Sequence, residues 1–314
     1  MSAFSPDLPL TVAYSGGADS SALLLACARR WPGHVAAVHV NHGLQSAAAD
    51  FQSHCQSVCA ALGVPLFTEA VDAHATPGQS PEDAARRARY GALARFAKSE
   101  HGAPWSATVL LAQHADDQVE TLLLALSRGA GLAGLSAMPA HWQRDGVNYA
   151  RPLLPVSAAD IRQWLRAQGH QWIEDPTNTD TDFLRNRIRA EVMPVLRQVF
   201  PQYASTFSRS AAHAAQAQTL LTALAQSDLR ELCAPGQRQP RIQALQALPR
   251  ARQANALRHW LHSVHHTQAS SAQLDELLSQ VAACTTAGHQ LHIRVGQGFV
   301  RRSNEVLDWY NPQV

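Results

Sequence analysis

The chain has 314 residues, 46% of them hydrophobic and 16% charged; it is long for one domain and suits two, with enough apolar residues for each to bury a core. Its formal net charge of +2 excludes binding through an overall excess of charge. A nucleic-acid reading must therefore rest on local clusters of arginine, Lys98 being the sole lysine. No apolar run of about 18 residues is present to span a membrane. The start, MSAFSPDLPL, has no basic region followed by an apolar one, so a cytoplasmic protein is expected. Cys27, Cys55, Cys59, Cys233 and Cys284 are scattered without a C-x-x-C and read as buried thiols of a reducing compartment.

In chain order, short apolar runs at residues 10–14, 35–40, 65–71 and 108–113 read as strands buried on both faces. Between them, residues 19–31, 46–62, 80–101 and 116–127 read as helices, each ended by glycine or proline. That alternation predicts an α/β domain with a doubly wound, mostly parallel sheet, whose ligand lies at the carboxyl ends of the strands. Residues 148–154 are expected to add a strand. Residues 157–168 are expected to add a helix with Ser157 as N-cap and Asp160 completing an Asp version of the capping box. Helical signal continues over 186–199 and 208–231, and again over 245–264 and 271–283. Alternation around Gly296-Gln297-Gly298 predicts a closing β-hairpin. The expected division is a catalytic domain over 1–205 and a smaller, mainly helical domain over 206–314 that ends in the hairpin.

The first strand runs into the first helix through Ser15-Gly16-Gly17-Ala18-Asp19-Ser20. Two glycines permit a concave run of N–H groups, the helix N-terminus adds partial positive charge, and Ser15 and Ser20 offer hydroxyls. Asp19 can hold Mg²⁺ beside a phosphate. Without the lysine of the G-x-x-x-x-G-K-[ST] loop, such a turn suits a pyrophosphate that leaves as a unit, with the α-phosphorus as electrophile.

Four further stretches carry chemistry. His39, Asn41 and His42 close the second strand in VHVNHGL, at the expected sheet edge. In SPEDAARRARYGAL, Glu82, Arg86, Arg89 and Tyr90 share a helix face, either as a solvated ion pair or as arginines facing phosphate. LAQHADDQVETLLLALSRG sets Asp117 and Glu120 three residues apart on one helix face. Two carboxylates beside an ATP site need a cation between them, Mg²⁺ or an ammonium group. The segment 174–197 carries Arg185, Arg187, Arg189 and Arg197, read either as a solvated helix or as an RNA-backbone contact.

The SGGADS hexad resembles the PP-loop of the adenine-nucleotide α hydrolase-like superfamily. Together with VHVNHGL, the E-x-x-A-R-x-x-R-Y pattern, LAQHADDQVET, RGAGLAGLSAM, RPLL, DPTN and RNRIR, residues 10–200 resemble the tRNA(Ile)-lysidine synthetase family in a short form. That resemblance implies ATP and Mg²⁺ as cofactors, with free L-lysine and an isoleucine tRNA with a CAU anticodon as partners. The implied reaction ligates lysine to C2 of the first anticodon cytidine through an adenylated base. It implies ATP on Ser15, Gly16, Gly17, Ala18, Asp19 and Ser20, with His39, Asn41 and His42 near the nucleotide. It gives lysine to Asp117 and Glu120, Mg²⁺ to Asp19 and transition-state charge to Arg89, while Arg86, Arg185, Arg187, Arg189 and Arg197 meet tRNA. In the second domain Arg250, Arg252, Arg258, Arg301 and Arg302 are the candidate tRNA contacts. The rivals are a PP-loop tRNA thiolase, which needs cysteines that the span from Cys59 to Cys233 does not contain, a small-molecule amide-forming ligase, and a nucleotide-sensing RNA-binding protein without catalysis.

Overall fold

The computed structural model describes residues 4–41, 48–72, 81–99, 105, 108–174, 183–286 and 288–312. His42, Ser80 and the DPTN run at 175–178 lie outside the described residues. The chain divides into two compact units, residues 1–214 and 215–314.

The first unit is built on a six-stranded sheet in the order β3-β2-β1-β4-β6-β5. Strands β1 (Leu10–Ala13), β2 (Val35–Asn41), β3 (Leu66–Ala70), β4 (Thr108–Leu110) and β6 (Val147–Ala150) are parallel. Leu10, Val12, Val35, Ala36, Ala37, Val38, Val109, Leu110, Val147 and Ala150 of β1, β2, β4 and β6 are buried, as a sheet sandwiched between helices requires, whereas the edge strand β3 is half-exposed. Helices α1 (Ala18–Arg30), α2 (Ala48–Leu62) and α6 (Ala158–Ala167) contribute to one core, around Leu10, Val12, Leu24 and Leu165. Helix α3 (Pro81–Lys98) contributes to the other, around Val38, Leu93, Phe96 and Val109. The strand order reverses between β1 and β4, whose register pairs Leu10 with Thr108 and Val12 with Leu110. In such sheets that reversal opens the ligand crevice.

Two differences from the sequence expectation have simple causes. Residues 141–144 form an extra strand, β5 (His141–Arg144), antiparallel to β6. The turn between them is Asp145-Gly146, with φ of 51° and 76°, the left-handed pair that a type I′ hairpin demands. At α6, Ser157 does accept the Asp160 N–H at 3.1 Å, but the Asp160 carboxylate takes the Ser157 hydroxyl at 2.7 Å, so the reciprocal half of the expected box gives way to a side-chain bond.

Beyond α4 (Ala115–Ser127) and α5 (Leu132–Leu135), α7 (Leu184–Arg187) passes through a π-helical turn, residues 188–192, into α8 (Met193–Val199). Helix α9 (Tyr203–Leu232) begins in the first unit and ends in the second.

In the second unit, α10 (Ile242–Gln246), α11 (Arg250–His265) and α12 (Ser271–Ala283) enclose a core around Trp260, Leu257 and Leu277. The predicted hairpin is present with one strand more. Strands β7 (His292–Val295), β8 (Gly298–Ser303) and β9 (Val306–Tyr310) form an antiparallel meander. Ile293, Val295, Val300 and Leu307 alternate onto its core face. Gly298 is required there, because a Cβ would lie 2.4 Å from the Trp309 ring and from the Tyr310 carbonyl.

Candidate active site

The loop after β1 turns at Gly16, whose φ of +86° is left-handed, and a Cβ there would sit 3.1 Å from Cys55 Sγ on α2. Gly17 is the N-cap of α1 without a side-chain cap, which leaves the first N–H groups of that helix for a ligand. The Ser15 and Ser20 hydroxyls lie 3.1 Å apart, and the Ser15 N–H donates to Ser20 Oγ at 3.2 Å, so the two serines brace the loop across its mouth. Ile173 donates its N–H to the Gly16 carbonyl at 3.1 Å. His39 is 6% exposed, with Nδ1 3.0 Å from the Tyr14 carbonyl and 3.6 Å from Cys55 Sγ, which sets it beneath the loop. Asn41 ends β2, and its carbonyl accepts the Val71 N–H at 2.9 Å.

The loop after the adjacent strand β4 supplies the second wall. His114 caps α4 there: its Nδ1 accepts the Asp117 N–H at 3.4 Å and its own N–H donates to Asp117 Oδ2 at 3.0 Å. Its Nε2 lies 3.5 Å from Asp19 Oδ2 and 3.5 Å from Asp117 Oδ2. The imidazole thus bridges the carboxylate of the glycine turn to that of α4. Burial alone would lower the His114 pKa, but the bond to Asp19 and the charges of Asp117, Asp19 and Asp116 raise it above the usual histidine range. Burial alone would raise the Asp19 carboxyl, yet the bond to His114 and the charges of His114, Arg162 and Arg189 hold it below its ordinary value.

Asp117 and Glu120 do share a face, and a cation does lie between them. It is the Arg189 guanidinium, which donates to Asp117 Oδ1 at 2.7 Å and to Glu120 Oε1 at 2.6 Å. Arg185 Nε stands 3.5 Å from Glu120 Oε2, and an Arg185 NH₂ donates to Thr121 Oγ1 at 3.2 Å. The π-helical turn contains Arg189, and such turns carry an additional residue within a helix. Burial pushes the Glu120 carboxyl up, with the bond from Arg189 acting the other way. Burial would lower Arg189, but its bonds to Glu120 and Asp117 raise it.

The third acid of the run, Asp116, is structural. Its Oδ2 accepts the Ala158 N–H of α6 at 2.8 Å, and its Oδ1 accepts the Tyr203 hydroxyl of α9. Arg197, expected at tRNA, lies 3.6 Å from Asp116 Oδ1 and donates to Tyr203 at 3.4 Å. Burial acts to raise the Asp116 carboxyl, but the Ala158 and Tyr203 bonds with the charges of His114 and Arg197 depress it. A depressed carboxyl stabilises the fold above its unfolded value of 3.8, and that contribution is lost as pH falls through the folded value. Asp116→Asn should therefore cost about 1–3 kcal/mol at neutral pH. In denaturant titrations at a series of pH values the deficit should shrink below 3.8; a deficit that stays constant with pH contradicts the assignment.

Arg86 and Arg89 lie beside the Tyr90 ring at 5.8 and 6.0 Å. The Tyr90 hydroxyl accepts from Arg151, which is 4% exposed and also donates to Gln113 and the Pro139 carbonyl. Arg187 is exposed on α7. His114 and Arg151 are the two residues of the motifs whose central placement sequence reasoning did not find. Histidine is not a usual N-cap, and a lone arginine in RPLL gives no sign of burial. A cavity of about 340 Å³ lined by Phe4, Thr108, Trp142 and Tyr149 opens at the amino end of β4, away from the glycine turn.

Residues 5–196 match the model of the PP-loop domain, and residues 241–307 match that of the TilS substrate binding domain. A tRNA(Ile)-lysidine synthase from Polaromonas naphthalenivorans is 58% identical over 298 residues, 95% of this chain and 88% of its own. Namesakes from Burkholderia pseudomallei and Pseudomonas aeruginosa are 40% and 44% identical over 98% and 80% of this chain. The chain spans 63% and 58% of the lengths of those two. Among solved structures, the U34-tRNA thiolase NcsA from Methanococcus maripaludis superposes with a TM-score of 0.55 at 13% identity, covering 67% of this chain and 73% of that one, a likeness of fold. The glycine turn at the switch point of a parallel sheet is thus that of a PP-loop protein. The chain belongs to the tRNA(Ile)-lysidine synthase family.

Proposed function

We propose that the chain ligates L-lysine to C2 of the first anticodon cytidine of an isoleucine tRNA, with ATP converted to AMP and pyrophosphate. The observation that carries the reading is the convergence of Asp19, His114, Asp117 and Glu120 at the carboxyl ends of β1 and β4, beside the glycine turn. Gly16, Gly17, Ala18 and Ser20 cradle the phosphates of ATP through backbone N–H groups and hydroxyls. The cytidine C2 oxygen attacks the α-phosphorus and pyrophosphate leaves. The lysine Nζ then attacks C2, the C2–O bond breaks, and AMP leaves. Asp117 and Glu120 hold the ammonium group of the incoming lysine where Arg189 now lies, and Glu120, raised by burial, accepts its proton. Arg89 offsets charge on the phosphates.

Among the described residues no group of three or more His, Cys, Asp or Glu is arranged to hold a metal ion. Mg²⁺ arriving with ATP needs only one or two protein carboxylates besides phosphate oxygens. Asp19 fits that need, since its Oδ1 is buried without a hydrogen bond among the described residues. Bound there, the ion would neutralise the departing pyrophosphate. Among the described residues no helix is long and apolar enough to cross a membrane. Cys27, Cys55 and Cys59 are packed in the first core, and burial pushes each thiol up to about 11 or 12, which disfavours the thiolates a sulfur-transfer reaction needs.

The decisive experiment incubates the chain with ATP, labelled lysine and unmodified isoleucine tRNA. Label on the anticodon cytidine, with pyrophosphate released only when all three are present, is the expected result. Pyrophosphate release with ammonia and a small acid, or sulfur incorporation instead of lysine, would replace this reading by one of its rivals.

A further inference from the structure

The three-stranded sheet of the second unit has an outer face that its core does not use. Alternation sends Ile293, Val295, Val300 and Leu307 inward and leaves two cross-strand rows outward. One row is His292, Arg301 and Asp308; the other is Arg294, Phe299 and Tyr310. The solvent face of an antiparallel sheet is usually polar. Here it carries three rings in nearly one orientation. His292 and Phe299 lie 4.6 Å apart at 10°, Phe299 and Tyr310 5.9 Å apart at 28°, and His292 and Tyr310 6.1 Å apart at 20°. His292 Nε2 is 2.9 Å from the Tyr310 hydroxyl, which fixes the two outer strands' rings to each other across the middle strand. Arg301 lies over the Tyr310 ring at 4.6 Å and is held there by Asp308 at 3.1 Å. His292, Arg294 and Arg301 are exposed.

We infer that this face is a stacking platform for an unpaired nucleobase of the RNA substrate, with Arg294 and Arg301 meeting the flanking phosphates. The inference rests on the tRNA reading proposed above. A planar base continues the shared ring orientation, and the fixed rings lose little freedom on binding. Two arginines against one aspartate leave the face positive, which suits a polyanion and opposes pairing with a second copy of the same face. Two other arginines of the unit are engaged within it. Arg252 is bonded to the buried Asp228, and Arg302 donates to the carbonyls of Thr286, His289 and Asn304. Part of the surface falls in residues 241–307, which match a substrate binding domain.

The test uses the full chain and unmodified isoleucine tRNA, with the dissociation constant, the melting temperature and lysine transfer measured together. Tyr310→Leu keeps bulk and removes the ring; it should weaken tRNA binding by about 5- to 150-fold, the range for loss of one base–aromatic stack. Tyr310→Phe should bind within about twofold of the parent. Arg294→Ala, at an exposed position that the fold does not need, should lower the slope of log affinity against log salt by about one. If Tyr310→Leu and Arg294→Ala both bind tRNA as the parent does while the parent transfers lysine, the platform is wrong and the enzyme reading stands. Loss of self-association with RNA affinity unchanged overturns it equally. If the parent neither binds this tRNA nor transfers lysine, the enzyme reading fails and the platform fails with it. A lowered melting temperature in Tyr310→Leu leaves His292→Ala and Arg294→Ala to decide, both at exposed positions.

Discussion

Glu120→Gln should reduce lysine transfer to tRNA by about 10²- to 10⁴-fold, the span expected when a positioned proton acceptor is removed. The substitution keeps the shape of a side chain that is 2% exposed and removes the charge facing Arg189. The Michaelis constant for ATP should change by no more than about twofold, because the glycine turn is untouched. Asp117→Asn should also abolish transfer, with an added structural cost, since Asp117 Oδ2 accepts the His114 N–H that starts α4. Transfer at the parental rate in Glu120→Gln removes Glu120 from the reaction.

The second large effect falls on the turn itself. Gly16→Ala forces a side chain into a left-handed backbone with Cys55 Sγ 3.1 Å from the new methyl. Holding that conformation costs about 1–3 kcal/mol. If the loop relaxes instead, its N–H groups no longer converge on one anion. The Michaelis constant for ATP should then rise by roughly 5- to 150-fold, the same energy expressed as affinity. Gly17→Ala is the internal control: its φ is ordinary and its nearest neighbour is 3.7 Å away, so it should be nearly silent for the fold. Equal ATP constants for Gly16→Ala and the parent contradict the role given to the turn.

Much of the first unit can be read from its residues. Strands buried on both faces announce themselves as short apolar runs, and SGGADS between a strand and a helix marks the anion site. The face shared by Asp117 and Glu120 follows from helical spacing alone. What escapes the sequence is whatever depends on partners distant in the chain. The strand His141–Arg144 is polar because it lies at the sheet edge, and only the Asp145-Gly146 turn betrays it. His114 touches Asp19 across two strands, a contact that no spacing rule encodes. The arginines of α7 and the following turn look like a solvated, phosphate-facing cluster, yet Arg185 and Arg189 turn towards Glu120. Helical periodicity fails there because the π-helical turn breaks the 3.6-residue repeat on which it relies.

That turn makes chain length itself a determinant of which basic group sits at the acidic pair. Shortening the segment between Leu184 and Val199 by one residue, so that it winds as an uninterrupted α-helix, removes the additional residue the turn accommodates: the flanking helices keep their faces, and the side chains within the turn, Arg189 among them, change direction. Point substitutions leave the winding alone; a single-codon deletion does not, and it would present a different neighbour to Asp117 and Glu120 without altering either of them.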